Sequence, residues 1–141
     1  MVEVINRQRY RKIDVPAWRE FAEQASQAID STQQSATIVF VSDNVIKKLN
    51  QQFRGQNYAT DVLSFPTKAE DFESDNQSHL GEVVISVERA AAQAKENGLT
   101  FSNEVRQLIL HGLLHLSGYD HETDNGEMNR LELRLRRKLE I

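Results

Sequence analysis

Short apolar segments that are followed at once by amphipathic helical segments constrain the fold of this chain more than any other feature. Residues 36–41 are mostly β-branched and are typical of a buried strand, and Ser42 can cap the helix that follows. Residues 81–85 form a second such run, and Ser86 can cap a helix over residues 87–97. Strands that alternate with helices indicate an α/β fold with some parallel strand pairing.

The rest of the chain continues this alternation. Further strands are predicted at residues 2–5 and 60–65, and further helices from Asp14 to Asp30, from Ser42 to a stop at Gly55, from Ser102 to Ser117 and from Asp124 to Leu139. Residues 67–79 are polar and acidic and are predicted to form a loop. We therefore expect one α/β domain over residues 1–141, with a four-stranded mixed sheet and about five helices.

Composition places the chain among small proteins of a reducing compartment. Its 141 residues are the usual length of one domain, and it has no cysteine for disulfides or thiolate metal ligands. No apolar run approaches the roughly 20 residues that span a bilayer, and the N-terminal residues do not resemble a secretory signal. We expect a soluble cytoplasmic protein.

The distribution of charge matters more here than the net charge of −4, which by itself argues mildly against a nucleic-acid substrate. Residues 70–75 carry four carboxylates, and basic residues form three clusters: Arg7, Arg9, Arg11 and Lys12; Lys47, Lys48 and Arg54; and Arg134, Arg136, Arg137 and Lys138. Any one such cluster is more often a solvated surface than a binding site. Local potential nevertheless governs the attraction of a phosphate chain, so an RNA substrate is compatible with this composition.

Three of the four histidines fall within eleven residues. His111 and His115 are four apart on a predicted helix, which places them about 40° apart around the axis and one turn apart along it. Gly118 tolerates a positive φ, so the chain can turn there and bring His121 toward the same point. The pattern predicts a three-histidine metal site at a helix end, with the open fourth position that is typical of catalytic zinc.

Chance grouping of the histidines is the alternative to a metal site. It is disfavoured because the predicted helix is otherwise almost wholly apolar, and buried imidazoles without partners are costly. Imidazole ligands suit zinc, but they also bind copper, nickel and iron. One Zn²⁺ per chain is therefore predicted, with another divalent transition metal as the alternative.

The spacing of these histidines also matches that of one class of metalloproteases, except at one position. Those enzymes carry a glutamate general base directly after the first histidine, where this chain has Gly112. A glycine inside a helix costs about 1 kcal/mol relative to alanine, so we expect Gly112 to permit close packing against another element. Proteolysis is disfavoured because the general base is missing.

Three segments of the chain resemble the YbeY family of bacterial endoribonucleases, and the resemblance extends over nearly the whole length. The segments are the eleven residues from His111 to His121, residues 53–55 with 60–66, and residues 80–86. The family usually has aspartate at the position of Glu82 and proline at that of Ala59; neither departure touches the histidines.

This resemblance implies an α/β domain with the histidines at one end of a groove beside the sheet. It implies cleavage of single-stranded RNA in maturing the 3′ end of 16S rRNA and in quality control of 70S ribosomes. Implied partners are the small ribosomal subunit with its proteins and an Era-type ribosome-assembly GTPase. Arg54 falls on the family's functional arginine. A role in binding or stabilising phosphate is then favoured over that of a solvated cation at a helix end.

Several polar residues are weaker candidates for the groove. Asp120 could orient a histidine or cap a turn. Ser64 and Asp61 could face the groove, although a regular strand would place them on opposite faces. Tyr119 could stack on a base, but a core position is the commoner role. His79 is expected in the acidic loop, with either a surface role or that of a fourth metal ligand.

Three classes of function follow from these observations. The first is a metal-dependent endoribonuclease. The second is a metallohydrolase of another substrate, and the third is a non-catalytic ribosome-assembly factor with a structural metal. Three ligands rather than four favour the catalytic classes over the structural one.

Overall fold

A mixed four-stranded sheet forms the centre of a computed structural model of the chain, which describes residues 1–30, 35–67, 79–120 and 122–141. The elements within these residues, in chain order, are β1 (Val2–Asn6), α1 (Val15–Ile29), β2 (Ser35–Val41), α2 (Asp43–Arg54), β3 (Val62–Pro66), β4 (His79–Ser86), α3 (Val87–Glu96), α4 (Phe101–Leu116) and α5 (Glu127–Leu139). The strand order is β1-β2-β4-β3. The first three of these strands are parallel, whereas β3 pairs antiparallel with β4 at the edge. The predicted α/β class and mixed sheet are confirmed.

Side-chain caps begin three of the helices where the sequence predicts them. Asp14, Ser42 and Ser86 each accept a hydrogen bond from the backbone N–H three residues ahead, which satisfies one donor of the first helical turn. Gly55 has a φ of +69° and ends α2 as expected, since glycine takes the left-handed conformation without a steric penalty.

Two predicted helix starts differ from the observed ones by one and three residues. Helix α4 is capped by Thr100, whose hydroxyl accepts from Asn103 N, so that it begins at Phe101 rather than at Ser102. Helix α5 begins at Glu127 and not near Asp124, because the Asp124 carboxylate accepts from the N–H groups of Gly126 and Met128 and holds the chain in a turn ahead of the helix.

The predicted loop position of His79 is also wrong. Its backbone begins β4 and pairs with Ser35 of β2, and its Nδ1 lies 2.9 Å from the Ser35 hydroxyl. The hydrogen-bonded pairing between β2 and β4 begins at residue 79, ahead of the predicted strand start at Gly81, so β4 is longer than predicted. Residues 68–78, which make up most of the predicted acidic loop, lie outside the described residues.

Alternate side chains of the strands build a hydrophobic cluster on each face of the sheet. The larger cluster joins inward residues of β1, β2 and β4 to buried faces of α1, α3, α4 and α5, and includes Trp18, Phe40, Ile85, Ile109 and Leu110. The smaller joins Ile46 of α2 to Val41, Leu63 and Val84. Phe53 is 60% exposed at the end of α2, where its ring packs edge-on against Phe65.

Among the described residues, no helix is both long enough and apolar enough to cross a bilayer.

Candidate active site

A cleft of about 620 Å³ lies between α4 and the edge strand β3. It is lined by Arg54, Asp61, Val62, Leu63, Ser64, Pro66, His111, His115, Gly118, Tyr119, Asp120 and Glu122. Three parts of the chain meet there: the end of α2, the antiparallel strand β3, and α4 with the turn that follows it. The cleft thus collects almost all of the polar residues that the sequence singles out.

The two helical histidines converge on the cleft. Their Nε2 atoms are 3.1 Å apart, and their rings meet edge to face with centroids 4.7 Å apart. Both side chains are partly exposed, because α4 turns this side toward the cleft while its opposite faces are buried. The expectation that positions four apart bring two imidazoles together is met.

The turn after α4 has the hydrogen bonds of a Schellman motif. Gly118 N donates to His115 O and Tyr119 N donates to Leu114 O, while Gly118 adopts a φ of +99°. This geometry reverses the chain and brings Tyr119 and Asp120 to the wall of the cleft. His121, the third predicted ligand, lies outside the described residues.

The two residues before His121 have further contacts. The Asp120 carboxylate accepts from Glu122 N at 2.9 Å, which is the turn-capping geometry that the sequence left open for it. Tyr119 is partly buried and packs against the larger hydrophobic cluster while it lines the cleft. Its ring therefore contributes to both the core and the cleft wall.

A buried carboxylate on α5 forms a hydrogen bond with His111. Glu132 is 5% exposed, and its Oε1 lies 2.9 Å from His111 Nδ1 while its Oε2 accepts from Arg136 at 2.5 Å. The ion pair with Arg136 joins positions four apart on one helix, whereas the contact with His111 was not predicted from the sequence. The signal was available, since residue 132 falls on the same stripe of α5 as the buried Met128 and Leu135.

These partners determine the ionisation of Glu132. Burial by itself raises the pKa of the carboxyl group, but the hydrogen bonds and electrostatic attraction of His111 and Arg136 outweigh burial and lower the pKa below its usual range. Glu132 is therefore held as a carboxylate, which can only accept hydrogen bonds.

Arg54 reaches the cleft from the last turn of α2. The preceding turn is anchored by Asn50, which is fully buried and whose side-chain amide donates to Tyr58 O at 2.9 Å. The Gly55 turn and this anchor direct the chain from α2 toward β3, so that Arg54 lies at the cleft margin. Arg54 is exposed, and of the described lining residues it alone belongs to a predicted basic cluster.

Ser64 and Asp61 both line the cleft, although strand alternation would place them on opposite faces. The reason is that β3 starts only at Val62, so Asp61 lies in a bend outside the strand. Its carboxylate accepts from Val62 N at 2.8 Å, and its backbone carbonyl accepts from Ser86 N. The bend that the sequence could not predict brings the two residues to one site.

Gly112 packs against the sheet. A Cβ atom placed there would lie 2.5 Å from Val83 Cγ1, far inside van der Waals contact. The expectation that this glycine permits close packing is confirmed. The position faces β4 rather than the cleft, so a longer side chain would start toward the sheet and away from the histidines.

The described residues provide two of the ligands that the predicted metal site needs. Two nitrogens that share a tetrahedral ion at about 2.0–2.1 Å would lie roughly 3.3 Å apart, close to the observed 3.1 Å between the Nε2 atoms. Among the described residues (1–30, 35–67, 79–120 and 122–141), no three histidine or carboxylate residues converge as a ligand set. His79 does not line the cleft. A complete site of the predicted kind thus requires His121.

The fold and the cleft define a class: small α/β proteins in which a helical histidine pair faces an edge strand. Comparison with known proteins narrows that class. A family model described as Endoribonuclease YbeY matches residues 3–140, and the chain therefore belongs to the endoribonuclease YbeY family, which is named for cleavage within RNA. The predicted resemblance is confirmed.

Individual relatives agree with this assignment. The chain is 35% identical to Endoribonuclease YbeY of Geobacter metallireducens over 96% of its own length and 91% of the relative. It is 46% identical to the Endoribonuclease YbeY of Nautilia profundicola over 78% and 76% of the two chains. A solution structure of a Thermotoga maritima protein superimposes with a TM-score of 0.67 at 28% identity, covering 99% of this chain and 89% of the other.

Proposed function

We propose that this protein is a metal-dependent endoribonuclease that cleaves single-stranded RNA at the cleft between α4 and β3. The observation that carries the proposal is the convergence of His111 and His115 Nε2 atoms in a cleft that also holds Arg54, in a chain of this family. His111, His115 and His121 would hold one divalent ion, which we propose to be zinc. When bound, such an ion supplies an activated water or polarises a phosphoryl oxygen.

The residues of the chain itself would bind and orient the RNA. Arg54 is a planar cation at the cleft margin, suited to bind a phosphate through two parallel hydrogen bonds and to offset the charge that builds on it during cleavage. The Ser64 hydroxyl, on the wall formed by β3, can donate to the same phosphate. Asp61, Asp120 and Glu122 carry negative charge there, so favourable phosphate contacts would be confined to the Arg54 side.

The size of the cleft supports a preference for single strands. A volume of about 620 Å³ is that of a small-molecule pocket, typically ~300–1,000 Å³. It can hold part of one flexible strand but not a double helix. We propose that the biological substrate is ribosomal RNA, processed at the 3′ end of 16S rRNA and during quality control of 70S ribosomes in the cytoplasm. The small ribosomal subunit with its proteins, and an Era-type GTPase, are the proposed partners.

The competing functions differ in what they require of the same residues. Proteolysis lacks its glutamate base, since the residue after His111 is Gly112. This position also faces Val83 rather than the cleft. A purely structural metal would need a closed ligand set, and His79, considered as a fourth ligand, bonds to Ser35 away from the cleft. Both observations favour the ribonuclease.

The decisive experiment compares three proteins purified side by side on an end-labelled single-stranded RNA. Wild type should cleave the RNA, and His115→Ala should lose cleavage together with bound metal, measured by elemental analysis. His79→Ala is the matched control, because it removes a histidine that lies outside the cleft. It should keep both activity and metal.

Equal cleavage by wild type and His115→Ala would mean that the activity belongs to a contaminant or another site. Metal binding without cleavage, on free RNA and on ribosomes alike, would favour the assembly-factor alternative.

A further inference from the structure

We propose that Glu132, braced by Arg136, is a positioning residue that fixes His111 as the Nδ1-protonated tautomer and so presents the lone pair of Nε2 to the cleft. The inference deepens the proposed function, on which it rests, because it assigns a role to a residue that does not itself line the cleft.

The direction of one hydrogen bond determines which nitrogen of His111 carries the proton. Glu132 Oε1 and His111 Nδ1 are 2.9 Å apart, and the ion pair between Oε2 and Arg136 favours the carboxylate form of Glu132, which can only accept. Nδ1 must therefore carry the proton. In a neutral imidazole the other nitrogen, Nε2, then carries the lone pair, and this is the atom that lies 3.1 Å from His115 Nε2.

Arg136 makes the arrangement selective. The two oxygens of Glu132 are divided between two donors, with Oε1 toward His111 and Oε2 toward Arg136. The guanidinium never gives up its charge or its donors. A side chain with only one acceptor at position 132 could therefore satisfy one neighbour but not both.

The position of Glu132 shows that it acts through His111 rather than on the substrate. His111, together with Asp61 and Val62, lines both the cleft and a second cavity of about 460 Å³, which Glu132 and Arg136 also line. Glu132 is 5% exposed and does not line the cleft, so its contact with the candidate site is through His111. Carboxylates that accept from metal-binding histidines in this way orient the ring, and their loss typically costs about 10–100-fold in metal affinity.

Glu132→Gln is the most direct test, because glutamine has nearly the same shape but one acceptor and one donor group. Its oxygen should turn toward Arg136 and its amide nitrogen toward His111, which then has to accept at Nδ1 and carry its proton on Nε2. Nitrogen-15 spectra of labelled histidines in metal-free protein should show His111 protonated at Nδ1 in wild type and at Nε2 in the variant. Zinc affinity, measured by competition with a chelator, should fall about 10–100-fold.

Glu104→Gln is the matched control. Glu104 is also a buried carboxylate beside the second cavity, but its hydrogen bond is with Asn97 rather than with a histidine. Its replacement should leave the His111 tautomer and the zinc affinity unchanged, whatever its effect on stability.

Two results would overturn the inference. One is a wild-type His111 protonated at Nε2, a measurement that needs no variant to fold. The other is unchanged zinc affinity in folded Glu132→Gln. Failure of wild type to bind zinc at all would instead contradict the proposed function, while the tautomer in the metal-free protein would still test the role of Glu132.

Discussion

Gly112 illustrates how a single missing methyl group positions the histidines. Helix α4 approaches β4 so closely at this residue that an added Cβ would lie 2.5 Å from one methyl of Val83 and 2.9 Å from the other. Val83 is fully buried and is stiff at χ1, so it cannot turn aside. The close approach places His111, the preceding residue, beside β3.

Gly112→Ala should therefore destabilise the protein by about 1–3 kcal/mol through overpacking, despite a gain of about 1 kcal/mol in helix propensity. In a Val83→Ala background the nearest remaining contact is the Cβ atom at 3.3 Å. There the same change should cost much less. Urea unfolding of the wild type, both single variants and the double variant measures the coupling between the sites. Additive free energies would show that the helix shifts to accommodate the methyl group.

At Arg54, substitutions can separate the contribution of positive charge from that of the planar guanidinium group. Arg54→Ala should lower cleavage of single-stranded RNA by about 100-fold, because one preorganised donor to the developing charge is lost. Arg54→Lys should recover only part of the rate, since an ammonium group keeps the charge but not the paired hydrogen bonds.

The control for Arg54 is Lys48→Ala, which removes an exposed cation from the same helix but not from the cleft. It should change the salt dependence of RNA binding slightly and the cleavage rate hardly at all. Equal rate losses in the alanine variants at positions 48 and 54 would mean that α2 contributes only general positive charge.

At the scale of elements, helix starts depend on which of several nearby hydroxyl groups becomes the cap. Thr100 and Ser102 are both acceptable caps by residue type, and the structure selects Thr100. The choice lets α4 begin two residues earlier, with Phe101 packed against the larger hydrophobic cluster.

Thr100→Ala should lower the free energy of unfolding by about 1 kcal/mol, since the N–H of Asn103 loses its acceptor. Ser102→Ala should stay within about 0.5 kcal/mol of wild type, because Ser102 is exposed. Chemical denaturation of the two variants checks the order. The reverse order would place the start of α4 at Ser102.

For the whole molecule, the two hydrophobic clusters and the sheet between them carry the fold, and the histidine pair lies outside both clusters. The proposed metal is therefore expected to add stability without being needed for folding. Zinc at about 100 times its dissociation constant should add about 2.7 kcal/mol to the free energy of unfolding.

Thermal denaturation followed by circular dichroism, with zinc and with chelator, tests this expectation. The chelated protein should keep its secondary structure and melt at a lower temperature, and His115→Ala should show no shift between the two conditions. Loss of the fold on chelation would instead favour a structural metal.

Local patterns in the sequence determined much of this protein. Caps at Asp14, Ser42 and Ser86, the stop at Gly55 and the alternation of strands with helices depend on neighbouring residues, so they could be predicted from the chain alone. The pairing of His111 with His115 is local in the same sense, because helix geometry brings positions four apart together.

Only the tertiary structure decided what surrounds those histidines. The contact between Glu132 and His111 joins residues 21 apart in sequence, and it depends on how α5 packs against α4. The bend at Asp61, which brings it to the same cleft as Ser64, depends on its carbonyl accepting from Ser86 at the end of β4. Helical and strand periodicities describe how a segment repeats along itself, whereas these contacts depend on how separate segments are brought together when the core is buried.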